Sequence, residues 1–193
     1  MKYYHLVLLL ALFGAGHAYA QTTPAPLDER LADYLRLART GQVDSLLDMT
    51  DPELFAVVPR EQLRAGLAGT TADGDLSVRI AEFAVDDVAA PVGYRRDTFV
   101  TVAAHVWLVF ELRAPAYRTP GVRDRVRRML EKTYGPARVR QTGEFELRAL
   151  VDKSLLAIRR GAGRPWFFVE YGTADAAVLD LLVPPAVRER VGR

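Results

Sequence analysis

The chain has 193 residues, 50% of them hydrophobic and 26% charged, with a formal net charge of +2 and no cysteine. That composition belongs to a chain with enough apolar side chains for a core, and it excludes disulfide frameworks, thiol nucleophiles and zinc sites built on cysteine. With 26 basic residues against 24 acidic ones, it carries no overall nucleic-acid footprint.

The start of the chain reads as a secretory signal. Lys2 precedes an apolar run, LVLLLALF at 6–13, followed by Gly14, Gly16 and Ala18-Tyr19-Ala20. A positive start, a short apolar stretch and small residues before a cut are its parts in order. The run is shorter than the ~20 residues needed to span a bilayer. The sequence therefore predicts a bacterial-type signal peptide over 1–20 and a mature chain beginning at Gln21, periplasmic or secreted, with no transmembrane segment left. Without a cysteine at the cut there is no bacterial lipid anchor. Removing 20 of 193 residues leaves 173, the size of one ordinary domain. QTTPAP at 21–26 reads as a flexible lead and 27–193 as a single α+β domain.

The next segments are helical. Leu27, Leu31, Tyr34, Leu35 and Ala38 recur at three- and four-residue spacing over 27–40, and Gly41 stands at the expected cap. A short apolar cluster follows at 43–49. Asp51-Pro52 is a helix-start signal, and Pro59 precedes another short helix ending near Gly69. Beyond residue 74 the period changes to two. Leu76, Val78 and Ile80 alternate with Ser77, Arg79 and Ala81, which predicts a strand over 76–88. Pro91 and Gly93 mark 89–97 as a connection. The strongest strand is 98–112, with one wholly apolar face at its even positions. Its odd face carries His105, Trp107 and Glu111 among apolar neighbours, so both faces are expected to be largely covered.

Residues 122–134 read as a helix stopped by Gly135-Pro136. Three further strands are expected at 144–151, 154–160 and 166–171, the first two joined by Asp152-Lys153 as a two-residue hairpin. A last helix around Leu179 and Leu182 is cut by Pro184-Pro185. Helices first and antiparallel strands after predict an α+β fold, with N-terminal helices packed on a curved antiparallel sheet of four to five strands and one inserted helix. The segments ARTGQVDSLL at 38–47 and RPWFFVEY at 164–171, with the long middle strand, resemble the cone-shaped nuclear transport factor two-like superfamily. Ketosteroid isomerase and polyketide cyclases belong to it, and a cystatin-like sheet is the nearby alternative. The resemblance implies a cone-like sheet with room for an apolar ligand. It also allows Tyr34 to face the cone as a hydroxyl donor.

The candidate site residues follow from chemistry. His105 is the only histidine left after residue 20, and it shares a strand face with Trp107 and Glu111, so the three could line one pocket. Tyr34 is the fourth candidate; the plainer reading of His105 is a core or interface histidine, and of Tyr34 a core side chain in the Leu31–Leu35 stripe. Asp86-Asp87 reads as a solvated strand end, since neighbours on a strand point to opposite faces and chelate poorly. Only Ser45, Ser77 and Ser154 carry serine hydroxyls, none in G-x-S-x-G, and there is no phosphate loop or dinucleotide fingerprint. No catalytic set, metal site or cofactor is assigned. Arg123, Arg127, Arg128 and Lys132 lie in a basic segment that reads as a solvated helix face or as an interaction surface. The expected function is that of an exported, non-enzymatic protein binding a small apolar ligand or an envelope protein, with a homodimer left open. The alternatives are an isomerase- or cyclase-like enzyme using Tyr34 with His105 or a strand carboxylate, and an envelope interaction module using the basic helix.

Overall fold

The computed structural model describes residues 25–71, 76–171 and 176–191. The signal peptide expected over 1–20 and most of the 21–26 lead lie outside the described residues. Helix α1, Leu27–Arg39, turns Leu31 and Leu37 fully inward, with Tyr34, Leu35 and Ala38 half-buried beside them. It ends at Gly41, whose φ of 66° suits glycine. There Gly41 N–H donates to Ala38 O and Gln42 N–H to Leu37 O, the paired bonds of a Schellman cap. Helix α2, Val43–Asp48, follows directly. Asp51-Pro52 does open a helix, but a single 3-10 turn, Pro52–Ala56, with Asp51 accepting the Glu53 N–H at 2.9 Å. Helix α3 is Arg60–Thr71.

The sheet is antiparallel and curled, with six strands filling four positions. They are β1 (Leu76–Val88), β2 (Val92–Tyr94), β3 (Asp97–Leu112), β4 (Val139–Gly143), β5 (Glu146–Arg159) and β6 (Trp166–Tyr171). β3 and β5 are paired along nearly their whole length at the centre. β1 and β2 lie end to end beside β3, and β4 and β6 end to end beside β5. Three readings of the sequence are corrected here. The connection at 89–97 contains β2, which forms a hairpin with β3 through Arg95-Arg96. The expected strands at 144–151 and 154–160 are one strand, β5, and the hairpin turn falls at Glu144-Phe145 instead. Asp152 and Lys153 sit in mid-strand, opposite His105 and Ala104. They occupy the gap where β5 has passed the end of β4 and not yet met β6, so one side is open to water. Pro184-Pro185 also does more than end α5 (Ala176–Leu182): Pro185 occupies the first turn of a further helix, α6, Pro185–Val191.

Two β-bulges in β1, between Ile80 and Glu82 and between Val85 and Asp87, decide what faces inward. Strict alternation after Ile80 would send Glu82 to the core. The extra residue at the first bulge puts Phe83 opposite Val106 instead, on the apolar face, and adds curl to the strand.

One sheet face carries Val100, Val102, Ala104, Val106, Leu155, Ala157 and Phe168, packed under α1 and α2. Farther along the same face, Phe110, Leu112, Leu147 and Ala149 pack under Val126 and Leu130 of α4, Pro120–Tyr134. On the opposite face, Phe99, Leu156, Ile158 and Val169 are covered by Leu54 from the 3-10 turn, Leu182 at the end of α5, Val183 in the link that follows it and Val187 of α6. β5 therefore feeds two cores with alternate residues, as the period of two requires. Among the described residues no helix is long and apolar enough to cross a membrane.

Candidate binding face of the sheet

The face of β3 that bears its odd residues is covered at the Phe99 end and left open farther along. His105 and Trp107 are half-buried there, and Ala103 is exposed. His105 Nδ1 lies 2.6 Å from Asp86 Oδ1, and its Nε2 is 4.0 Å from Glu82 Oε1. Both carboxylates come from β1. Asp86 is the extra residue at the second bulge, which brings it onto the imidazole. On the other side of β3, the Arg140 guanidinium stacks on the Trp107 ring with its carbon 4.8 Å from the centroid. Arg138 holds Asp152, the cross-strand partner of His105, at 2.6 Å. The open band is thus an indole and an imidazole framed by acidic side chains of β1 and arginines leading into β4.

Glu111 lies on the same face but belongs to a separate ion-pair lattice. Arg79 Nε reaches it at 3.1 Å and Arg113 at 3.0 Å, while Arg148 and the Thr142 hydroxyl bind Glu146 directly opposite. The hydrogen bonds from Arg79, then Arg113, hold the Glu111 carboxyl below its usual range. For Glu146 the Thr142 hydroxyl is the first cause, with Arg148 adding to it. Fully buried Val109 separates this lattice from Trp107. Glu111 is accordingly a structural ion-pair member, and His105 with Trp107 form the compact pair.

Tyr34 is elsewhere. It reaches the opposite face of the sheet, with its ring 4.9 Å from Phe168 and 6.5 Å, edge-on, from Phe83. Tyr34 and His105 therefore cannot meet at one substrate, and an isomerase-like use of the two together fails on geometry. Burial pushes the Tyr34 hydroxyl up to about 12, and it has no hydrogen-bond partner among the described residues. A group whose folded value exceeds its ordinary 10.0 gives stability that is complete below pH 10 and is lost as pH rises toward 12. Tyr34→Phe should leave urea stability unchanged or slightly raised at about pH 9 and should remove part of the alkaline loss seen by about pH 11. An identical alkaline loss in the variant would show that the hydroxyl is not buried.

No protein-family model, curated protein or solved structure matches the chain. The face is read from its own chemistry. A His105–Asp86 pair has the form of a proton relay, in which a carboxylate orients an imidazole. The other imidazole nitrogen, however, points to Glu82, and Ser154, diagonal to His105 on β5, makes no hydrogen bond to it. Among the described residues no three histidine or carboxylate side chains converge to hold a metal ion.

The basic segment divides. Arg123 donates to Glu144 O at 3.2 Å, and Arg127 lies 3.7 Å from Asp124 and 3.8 Å from Glu131. Arg128 and Lys132 point to solvent without an ion pair among the described residues. Arg138 and Arg140 turn onto the sheet. Arg138 and Arg140 are the site residues that spacing alone missed, and Asp86, read from the sequence as a solvated strand end, is paired with His105 instead. A sequence signal for Asp86 did exist. The apolar set Leu76, Val78, Ile80 resumes at Phe83, Val85 and then Val88, and each step of three marks an extra residue in the strand.

Proposed function

We propose that this chain is an exported, non-enzymatic binding protein whose ligand seats on the open band around His105 and Trp107. One observation carries the reading. The opposite sheet face and the Phe99 end of this one are packed under helices, and beyond buried Val109 the other end is taken up by the Glu111 ion pairs. The middle leaves an indole and an imidazole at the surface, each held in place by a charged partner. Tryptophan and arginine in such a setting are the usual anchors of recognition. The ligand class is a small molecule or partner segment with an apolar or aromatic group for Trp107 and polar groups for the His105 side. A likeness to the cone-shaped superfamily is part of the proposal. Its support is that the two segments carrying the likeness share one core: Leu46 of the first clusters with Trp166 and Phe168 of the second, and just past the first segment Met49 O accepts the Phe168 N–H at 2.8 Å.

The chain has two tryptophans, so a Trp166→Phe background leaves Trp107 as the sole reporter. With chain purified from the exported fraction, its N-terminus expected at Gln21, a thermal-shift screen of apolar and aromatic small molecules should find binders that alter Trp107 emission. Trp107→Ala should weaken them by roughly 2 kcal/mol, about thirtyfold in Kd. Binders that leave the emission unchanged and hold Trp107→Ala equally well would place the ligand elsewhere.

A further inference from the structure

Helix α4 is held to the sheet by Val126 and Leu130, and its two remaining flanks differ in charge. On one, Asp124 and Glu131 both turn toward Arg127. On the other lie Arg125, Arg128, Met129 and Lys132, all exposed, within an arc of about 100° at 3.6 residues per turn. None of these three cations has an ion pair among the described residues. Met129 is 52% exposed between them, an apolar side chain set in a cationic surround.

We propose that this flank of α4 is a docking surface for an anionic phospholipid membrane, independent of the open sheet band. Two features select that occupant. Three uncompensated cations complement an anionic headgroup layer, each worth a factor of about five in partitioning near such a surface. An exposed methionine among them matches the interface plane, where an apolar side chain enters the headgroup–acyl boundary while its charged neighbours stay in water. A soluble polyanion would use the cations and leave Met129 in water. A single-stranded nucleic acid would call for aromatic platforms interleaved with the cations, and the flank has none.

The test is co-sedimentation of the chain purified from the exported fraction with phosphatidylglycerol-containing vesicles, against pure phosphatidylcholine vesicles and against soluble heparin. Binding should require the anionic lipid. It should also weaken strongly as salt rises from about 0.1 M to about 1 M, where the screening length falls from ~10 to ~3 Å. The triple variant Arg125→Glu, Arg128→Glu, Lys132→Glu should bind about a hundredfold less. Arg125→Lys with Arg128→Lys should bind as the parent does. Met129→Ser should lose several-fold on vesicles and nothing on heparin. Every variant carries the same N-terminus, so the differences report α4 alone, and unchanged circular dichroism shows each is folded. Equal binding to neutral vesicles, undiminished binding by the triple variant, or binding to heparin without binding to vesicles would each overturn the proposal.

Discussion

Arg160→Ala should cost about 3–5 kcal/mol in urea denaturation, because it strips the partner from a buried charge. Asp51 is fully buried. Its Oδ2 receives Nε and Nη2 of Arg160, each at 3.0 Å, while Oδ1 caps the 3-10 turn. The same guanidinium reaches Glu53 at 2.8 Å and Asp97 at 3.5 Å, and lies near Leu182 O and over the Phe99 ring. One side chain at the end of β5 thus joins the 3-10 turn, the β2–β3 hairpin and α5. The two partners are not equivalent. Asp51→Ala removes a cap and a charge but leaves Arg160 with Glu53 and Asp97, so it should cost only ~1–2 kcal/mol. The double variant should be more stable than Arg160→Ala alone, since no carboxylate is then stranded. A smaller loss for Arg160→Ala than for Asp51→Ala would contradict this account.

Phe168→Ala should cost a comparable ~3–5 kcal/mol for a different reason, a cavity in the core under α1. Phe168 is almost wholly buried, touches Tyr34, and shares its cluster with Leu31, Leu37, Phe83 and Leu155. Its backbone bond to Met49 survives the substitution, so the loss measures the ring alone. Against a total stability of about 5–15 kcal/mol, either change leaves a marginal protein. A loss for Phe168→Ala no larger than that for Tyr34→Phe would mean that α1 repacks into the space.

Much of this was legible from residue periods. α1, α4, β1, β3 and β6 appear within a residue or two of where spacing puts them, α1, α4 and the start of β1 from a one-sided apolar period, and β3 and β6 from apolar runs bounded by turn residues. The failures share a physical cause. Asp152-Lys153 looks like a turn because two adjacent charges seldom sit inside a central strand. Here each finds a partner from another element, Arg138 for Asp152 and Glu170 for Lys153. β2 is hidden because Pro91 and Gly93 flank or occupy a strand only three residues long, held by pairing to β3 and not by its own propensity. Joining 144–151 with 154–160 removes one of the five expected strands and β2 restores it; the sixth is β4, Val139–Gly143, a short polar edge strand held by pairing to β5.

The candidate site shows the same division. From the sequence alone, His105 and Trp107 share a strand face, because alternation along an unbroken strand is local geometry. Tyr34 belongs to the inner stripe of α1 for the equivalent reason at helical spacing. Which carboxylate meets the imidazole, which arginine stacks on the indole, and whether Tyr34 shares their side are questions of register between strands and of which sheet face a helix covers. Those depend on bulges and on contacts between residues far apart in the chain. So only the tertiary structure separates Tyr34 from His105, joins Asp86 to His105 and draws Arg138 and Arg140 away from the basic helix onto the sheet.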